Sequence, residues 1–318
     1  MRLLVALLLA LSAQLASADG DAMAWLQRIH AATHKLNYTG TFVYRSGDQA
    51  ETSRIVHFVG PHGARERLET LDGEPREIMR RGDEVICYLP GSETVKIDRQ
   101  FGSAAFPSLL SSDLKEIREN YALTKAGIDR VAGYECQMLL LEPKDKLRYG
   151  HRLWADVNTG MLLKSETFNA KNEPIEQFAF TQIDIGGKIA KEQLRSRLSS
   201  RARDWRVENS AAISTSLAAS GWSIRPELPG FKKVTEMKRT QGGSAKIGHV
   251  VFSDGLAAVS VFIEPLANKT SMPVPGLSRH GAINIYSLQI ADHLVTVVGE
   301  TPAASVKKLA ESVEYRRP

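Results

Sequence analysis

Cysteine is nearly missing from this chain: two residues in 318, Cys87 and Cys136. Nothing beside either resembles a Cys–His motif, which argues against a catalytic thiol. Both fall in expected strands of one domain. In an oxidising compartment they can pair as a disulfide, or they remain two buried thiols, and the sequence leaves both readings open. Past the N-terminus no apolar run approaches the ~20 residues that a bilayer span needs, so no later spanning helix is expected. An excess of charge of one sign is also lacking. Forty-one Lys and Arg face 36 Asp and Glu, for a formal net charge of +5. So mild a basicity suits anionic partners without demanding them, and with no nucleic-acid module present it argues against nucleic acid. G-x-S-x-G, P-loop, G-x-G-x-x-G and H-E-x-x-H patterns are all absent. An enzyme would need a site of unrecognised kind, and no cofactor is expected. His30 and His34 stand at i and i+4, but without a glutamate between them or a third ligand they read as surface histidines, and no metal site is expected.

What is present is ordinary for a globular protein: 43% hydrophobic and 24% charged residues, at a length that suggests two domains. Residues 1–18 read as a secretory leader, with Arg2 as the charged start, Leu3–Leu11 as the apolar core and Ala16-Ser17-Ala18 as the cleavage site. The mature chain is expected to begin near Asp19, with no cysteine there to carry a lipid anchor. The expected address is an exported compartment, the periplasm.

The chain is organised around Tyr134–Ile185, which reads as three successive strands. Tyr134–Glu142 comes first, then His151–Phe168 broken at Asp156–Gly160, then Pro174–Ile185. The stretch is rich in β-branched and aromatic residues and poor in helix caps. Asn158-Thr159-Gly160 and Asn169–Glu173 supply turn residues that tolerate positive φ. Alternation puts Glu176, Phe178 and Phe180 on one face, and Trp154 with Arg152 and Asp156 on one face. An aromatic face of this size needs a helix, a second sheet or a ligand to cover it.

Before this stretch, Asp21 can cap a helix over Ala22–Leu36 with an apolar stripe at Trp25, Leu26, Ile29, Ala32 and Leu36. Strands are expected at Tyr38–Arg45, Thr52–Val59, Ala64–Leu71, Glu77–Arg80 and Glu84–Leu89, with a helix inside Phe101–Tyr121 placed to cover the sheet, after which Leu123–Arg130 leads into the central stretch. Lys188–Asn209, charged and weakly periodic, reads as a linker or exposed helix. In the second half strands are expected at Lys232–Thr240, Lys246–Ser253, Ala257–Glu264, Ala282–Gln289 and His293–Gly299. Pro265–Leu277 reads as a loop, and Thr301-Pro302 opens a last helix with Val306, Leu309, Ala310 and Val313 on its buried side. No repeat relates the halves.

The strand and return strand RLWADVNTGMLLKSETFN and EQFAFTQIDI resemble the periplasmic lipoprotein-carrier (LolA/LolB-like) fold. With LNYTGTFVYRSG, RGDEVICYLPG, FPSLL, LPGF, SDGLAAVSVFIE and VTVVGETP, the whole chain resembles the MucB/RseB family of periplasmic regulators of an envelope-stress sigma factor. The fold class is then α+β, mostly β: a half-open, LolA-like antiparallel barrel with covering helices, and a smaller C-terminal antiparallel sheet with one helix. The implied division is leader 1–18, lipid-sensing domain 19–187, linker 188–221 and anti-sigma-factor-binding domain 222–318. The resemblance implies two partners, the periplasmic region of a membrane anti-sigma factor (RseA/MucA-like) and a lipid or lipopolysaccharide fragment. It also implies protection of the anti-sigma factor from proteolysis until the lipid releases it. A homo-oligomer stays open. Lipid contacts are expected at Phe42, Trp154, Phe178 and Phe180, and partner contacts at Val250, Phe252, Val259 and Val261. The alternative is a periplasmic lipid or lipoprotein carrier. Simple carriers lack the second domain, and its edge strands would suit an extended peptide.

Overall fold

The computed structural model describes residues 21–99, 114–241, 245–268 and 275–317. The expected leader, most of Phe101–Tyr121 and the middle of the Pro265–Leu277 loop lie outside the described residues. No helix among those described is long and apolar enough to cross a membrane.

Helix α1, residues 21–35, buries Trp25, Leu26, Ile29 and Ala32 of the expected stripe together with Ala22, and ends before Leu36, which is half-buried. An antiparallel meander follows: β1 (Tyr38–Ser46), β2 (Gln49–Gly60), β3 (Gly63–Thr70), β4 (Glu77–Arg81), β5 (Glu84–Leu89) and β6 (Thr94–Arg99). After α2 (Leu114–Asn120) comes a second meander of β7 (Tyr121–Val131), β8 (Tyr134–Pro143), β9 (Gly150–Asp156), β10 (Leu162–Phe168) and β11 (Pro174–Ile185). The turn between β7 and β8 holds Ala132 at φ 51° and Gly133 at φ 89°, the two left-handed residues that a two-residue hairpin of this twist requires. Pairing of β1 with β11 joins the two meanders into one sheet that runs from β6 through β1 and β11 to β7.

That sheet is curled and not closed. Tyr134 Oη of β8 donates to the Ile183 carbonyl of β11 at 3.1 Å, although β9 and β10 lie between those strands. Both faces are apolar. Successive residues of a strand point opposite ways, so Leu153 packs under α1 and α2 with Leu139, Leu141, Ile117 and Leu26, whereas Trp154 packs on the other side with Phe42, Phe178 and Phe180. This is the half-open antiparallel barrel with covering helices that the sequence implied.

In the second half β12 (Arg206–Ser214) and β13 (Trp222–Ile224) precede β14 (Lys232–Gln241), β15 (Ala245–Ser253) and β16 (Ala258–Pro265). Then come β17 (Gly276–His280), β18 (Ile283–Ile290), β19 (His293–Gly299), α3 (Ala303–Glu311) and β20 (Val313–Tyr315). The sheet order is β12-β14-β15-β16-β19-β18-β17, and β13 pairs β20 separately. Val306, Leu309 and Ala310 of α3 close over Val250, Val259, Val261, Val295 and Val297.

Residues 188–209 do not form an exposed helix. They carry two short 3-10 turns, Lys191–Leu194 and Arg201–Asp204, and lead into β12. Arg206–Ser210 of β12 pairs in parallel with Thr94–Asp98 of β6, and Ala211–Ser214 pairs antiparallel with Met237–Thr240 of β14, so one strand is shared by the two sheets. The segment before it is strapped to β3 and β4. Arg67 donates to the Gln193 carbonyl at 2.8 Å, and Glu77 accepts from the Ser196 hydroxyl and, at 3.1 Å, from the Arg197 amide. Its charged composition hid these backbone partners, which lie far away in sequence. Nor are the cysteines joined: Cys87 on β5 and Cys136 on β8 are free thiols on strands that are not neighbours.

The two halves meet across a buried polar seam. Arg148 lies 3.3 Å from Asp254 Oδ2 and 3.4 Å from Asp145, donates to the Pro229 carbonyl at 2.5 Å, and stands over the Tyr121 and Phe231 rings. Asp254 accepts from Tyr121 Oη at 3.2 Å and from the Leu256 and Ala257 amides. Burial pushes the Asp254 carboxyl up from its ordinary value, and those amides and Arg148 pull it back only in part. Replacing Arg148 by Met leaves Asp254 buried without its counter-charge, and the expected loss is about 3–5 kcal/mol, read by urea unfolding. A loss under ~1 kcal/mol would mean that water or relaxation replaces the guanidinium.

Candidate functional site

The four aromatic residues expected at a lipid come together, but as a packed cluster. Phe42, Trp154, Phe178 and Phe180 are 6%, 4%, 5% and 2% exposed. Phe42 and Phe178 lie 4.7 Å apart between centroids, and Phe178 meets Phe180 edge-on at 5.1 Å. Lys164 Nζ stands 4.0 Å over the Trp154 ring. Such tilted and edge-on contacts are those of a filled core. None of the four lines the cavity between α1 and α2 or the one beside the β2–β3 hairpin.

Open space lies on the other face. Between α1 and α2 is a cavity of about 860 Å³ lined by Met23, Gln27, His30, Leu114, Lys115, Arg118 and Glu119. It is large enough for a ligand of ordinary size and mixes apolar walls with cationic side chains. His30 is half-buried here. Loss of hydration and the neighbouring His34 ring, 4.4 Å away, hold its imidazole below the ordinary value. His34 Nδ1 lies 2.8 Å from the His30 carbonyl one turn back, so the pair packs along the helix.

The four residues expected at a partner in the second half lie inside the sheet core. Val250, Phe252, Val259 and Val261 are 1%, 2%, 0% and 0% exposed, inside the core under α3. Their strands β15 and β16 are central, each hydrogen-bonded on both sides. The edge is β17, paired with β18 alone among the described residues. It carries Leu277, 56% exposed, with Arg279 and His280, also exposed. Proline and asparagine nearby made this region read as loop.

A second part of the seam brings like charges together. Glu176 of β11 accepts from Tyr44 of β1 and faces Glu300, just after β19. Beside them the Ala282 amide meets Ser46 Oγ at 3.4 Å, and Asn284 donates to Tyr149 Oη at 3.0 Å. Burial first, then Glu300, raises the Glu176 carboxyl from 4.5 to about 7. Loss of hydration raises Glu300, and burial and the Glu176 bond push the Tyr44 hydroxyl up. Elsewhere His151 and Asp156 serve the strands. His151 lies 3.3 Å from Thr167 Oγ1, with burial dropping it to about 4, and Asp156 fastens its turn through the Thr159 amide at 2.7 Å. What these regions offer is binding chemistry: apolar walls, cations, an open strand edge and a seam of buried polar groups.

Between pH 4.5 and about 7 the folded chain keeps a proton on Glu176 that the unfolded chain has released. This group's contribution to stability is therefore full below pH 4.5 and falls as pH rises to about 7. Glu176→Gln should remove that fall and stabilise the protein above pH 7, seen as a wild-type-minus-variant difference in unfolding free energy. A flat difference curve across the window would show that Glu176 is hydrated. His151 acts with the opposite sign in acid, since its depressed value loses stability as pH falls from 6.5 to about 4, and it cancels in the difference.

Comparisons with known proteins fit this architecture. Residues 21–198 match the model of the MucB/RseB N-terminal domain family, and residues 216–314 that of the MucB/RseB C-terminal domain family. The chain is 33% identical over 316 residues to the sigma factor AlgU regulatory protein MucB of Pseudomonas aeruginosa, covering 98% of this chain and 96% of that one. It is 29% identical over 310 residues to the sigma-E factor regulatory protein RseB of Salmonella typhimurium, covering 95% and 93%. Among solved structures it is similar to MucB in complex with MucA(peri), with a TM-score of 0.70, 30% identity and coverage of 93% of this chain and all of that one. A Pseudomonas aeruginosa MucA/MucB complex gives a TM-score of 0.72 at 30% identity over 94% of this chain.

Proposed function

The chain belongs to the MucB/RseB family, a family of regulatory proteins, and from that premise we propose that it binds the periplasmic region of a membrane anti-sigma factor. In this reading it works in the periplasm, shields the anti-sigma factor from regulated proteolysis, and lets go when a lipid or lipopolysaccharide fragment binds. One observation carries the reading: a relative that shares this fold over 93% of the chain was crystallised with MucA(peri). The working division is a ligand-sensing domain over 19–187, a connection over 188–221 and a partner-binding domain over 222–318.

The open edge of β17 supports a partner site there. An extended peptide can add to it through main-chain hydrogen bonds, with Leu277 giving an apolar contact and Arg279 a charge. The ligand enters between α1 and α2, where Met23 and Leu114 meet an acyl chain and Lys115 and Arg118 its phosphates. Phe42, Trp154, Phe178 and Phe180, packed on the opposite face, join only when the sheet opens. Ligand and partner then communicate across the seam, and a ligand shifts that equilibrium only by its differential affinity for the two arrangements.

Titrating the full chain with a periplasmic anti-sigma segment, with and without saturating lipid, tests the reading. Lipid should weaken the peptide by some factor, and peptide must weaken lipid by the same factor. Leu277→Glu should weaken the peptide at least about tenfold and leave lipid affinity unchanged. Failure of the full chain to hold any such segment removes the regulator reading; independent affinities remove only the switch.

A further inference from the structure

A second cavity, sharing no lining residue with the first, lies between the β2–β3 hairpin and the strap that follows β11, and encloses about 380 Å³. Phe58 on the hairpin and Ile189 and Leu194 on the strap are half-buried and give it apolar walls. Arg65, Lys191 and Arg195 add three cations, and the hairpin turn Gly60-Pro61-His62-Gly63 completes the lining. The surroundings of these cations differ from those of a neighbouring arginine. Two residues along β3, Arg67 is saturated by Glu77, Glu69 and the Gln193 carbonyl. Among the described residues, none of the three cavity cations has a carboxylate within ion-pair reach. Arg65 stands opposite Phe58 on one side and Arg81 on the other, an apolar neighbour and a like charge. Like charges directly opposite one another in an antiparallel pair are unfavourable; Arg81 faces Glu84 on its far side, whereas Arg65 has only Phe58 there.

Apolar walls with uncompensated cations select for a ligand that has both an anionic head and a greasy stem. The volume is at the small end for ligand sites, which range over roughly 300–1,000 Å³. It accommodates a head group and one short alkyl chain, and a lipid of several chains does not fit. We infer that this cavity binds a single-chain anionic amphiphile, its phosphate or carboxylate held by Arg65, Lys191 and Arg195 and its stem lying on Phe58 and Leu194. This is a site separate from the α1–α2 cavity, and the inference stands whether or not the regulator reading does. Because one wall is the strap and the other the hairpin, a bound head group also fastens residues 189–195 to the sheet.

The test uses the full chain and n-decyl phosphate below its micelle concentration, followed by calorimetric titration and by trypsin cleavage after Lys191. Saturable binding is expected, with uncharged n-decyl maltoside and inorganic phosphate each at least about tenfold weaker. Arg65→Glu and Arg195→Glu should each weaken decyl phosphate about tenfold, and the ligand should slow cleavage after Lys191 in the wild type only. Arg195 is exposed, its amide donates to the Glu192 carbonyl, and its side chain makes no ion pair among the described residues, so its variant decides the matter if Arg65→Glu disturbs the sheet. Equal binding of the maltoside would reduce the site to an apolar crevice. Equal binding of phosphate would reduce it to a surface cation cluster. Binding untouched by both variants would put the amphiphile elsewhere, and any of the three overturns the inference.

Discussion

One guanidinium decides how the halves of this protein stand to each other. Arg148 has 1% of its side chain exposed and finds its carboxylate, Asp254, in the other half. Taking both charges out of water costs several kcal/mol, so the pair contributes less to the strength of the docking than to its uniqueness. Any other docking that buried Arg148 would leave it without Asp254. The same carboxylate holds the Leu256 and Ala257 amides, and so orders the turn from which β16 departs into the core under α3. Docking geometry and second-half core therefore share one anchor.

Around this anchor the connection between the halves is stiff. The strap is bonded to Arg67 and Glu77, and β12 belongs to both sheets, so no slack segment lies between them. Motion of one half against the other must come from the seam itself. Its weak point is where Glu176 meets Glu300, two carboxyls that repel when both are ionised. A signal that acts in the first half reaches the second only by shifting contacts of this kind, and the energies available there are those of one proton or one hydrogen bond.

Much of this was legible in the residues, for physical reasons that also mark where reading stopped. β9 to β11 stood out because Asn158-Thr159-Gly160 and Asn169–Glu173 punctuate strands rich in β-branched and aromatic side chains. α1 was plain from the spacing of Trp25, Leu26 and Ile29. Alternation told which residues share a face but not what lies over it. Phe42, Trp154, Phe178 and Phe180 do share one, yet it is filled, and the open cavity is behind Leu153 on the other side. Val250 and Val261 belong to real strands, but whether a strand is central or an edge depends on partners distant in sequence, here β14 and β19. β12 was hidden for the same reason. Arg206 and Glu208 look like linker until Thr94–Asp98 is seen alongside. The buried pair Arg148 and Asp254 had no local signal at all.

The seam between the two meanders has a consequence for how the chain is made. β1 pairs with β11, and Thr181 donates to the Thr41 carbonyl 140 positions away. Until β11 has been synthesised, β1 offers one bare edge and the face bearing Phe42 and Tyr38 is uncovered. Closing a loop of this length delays folding far more than it weakens the folded state. The chain therefore passes through an interval in which its first six strands can be complete and yet sticky, prone to pairing with another copy. Protection during that interval must come from something other than the rest of its own fold.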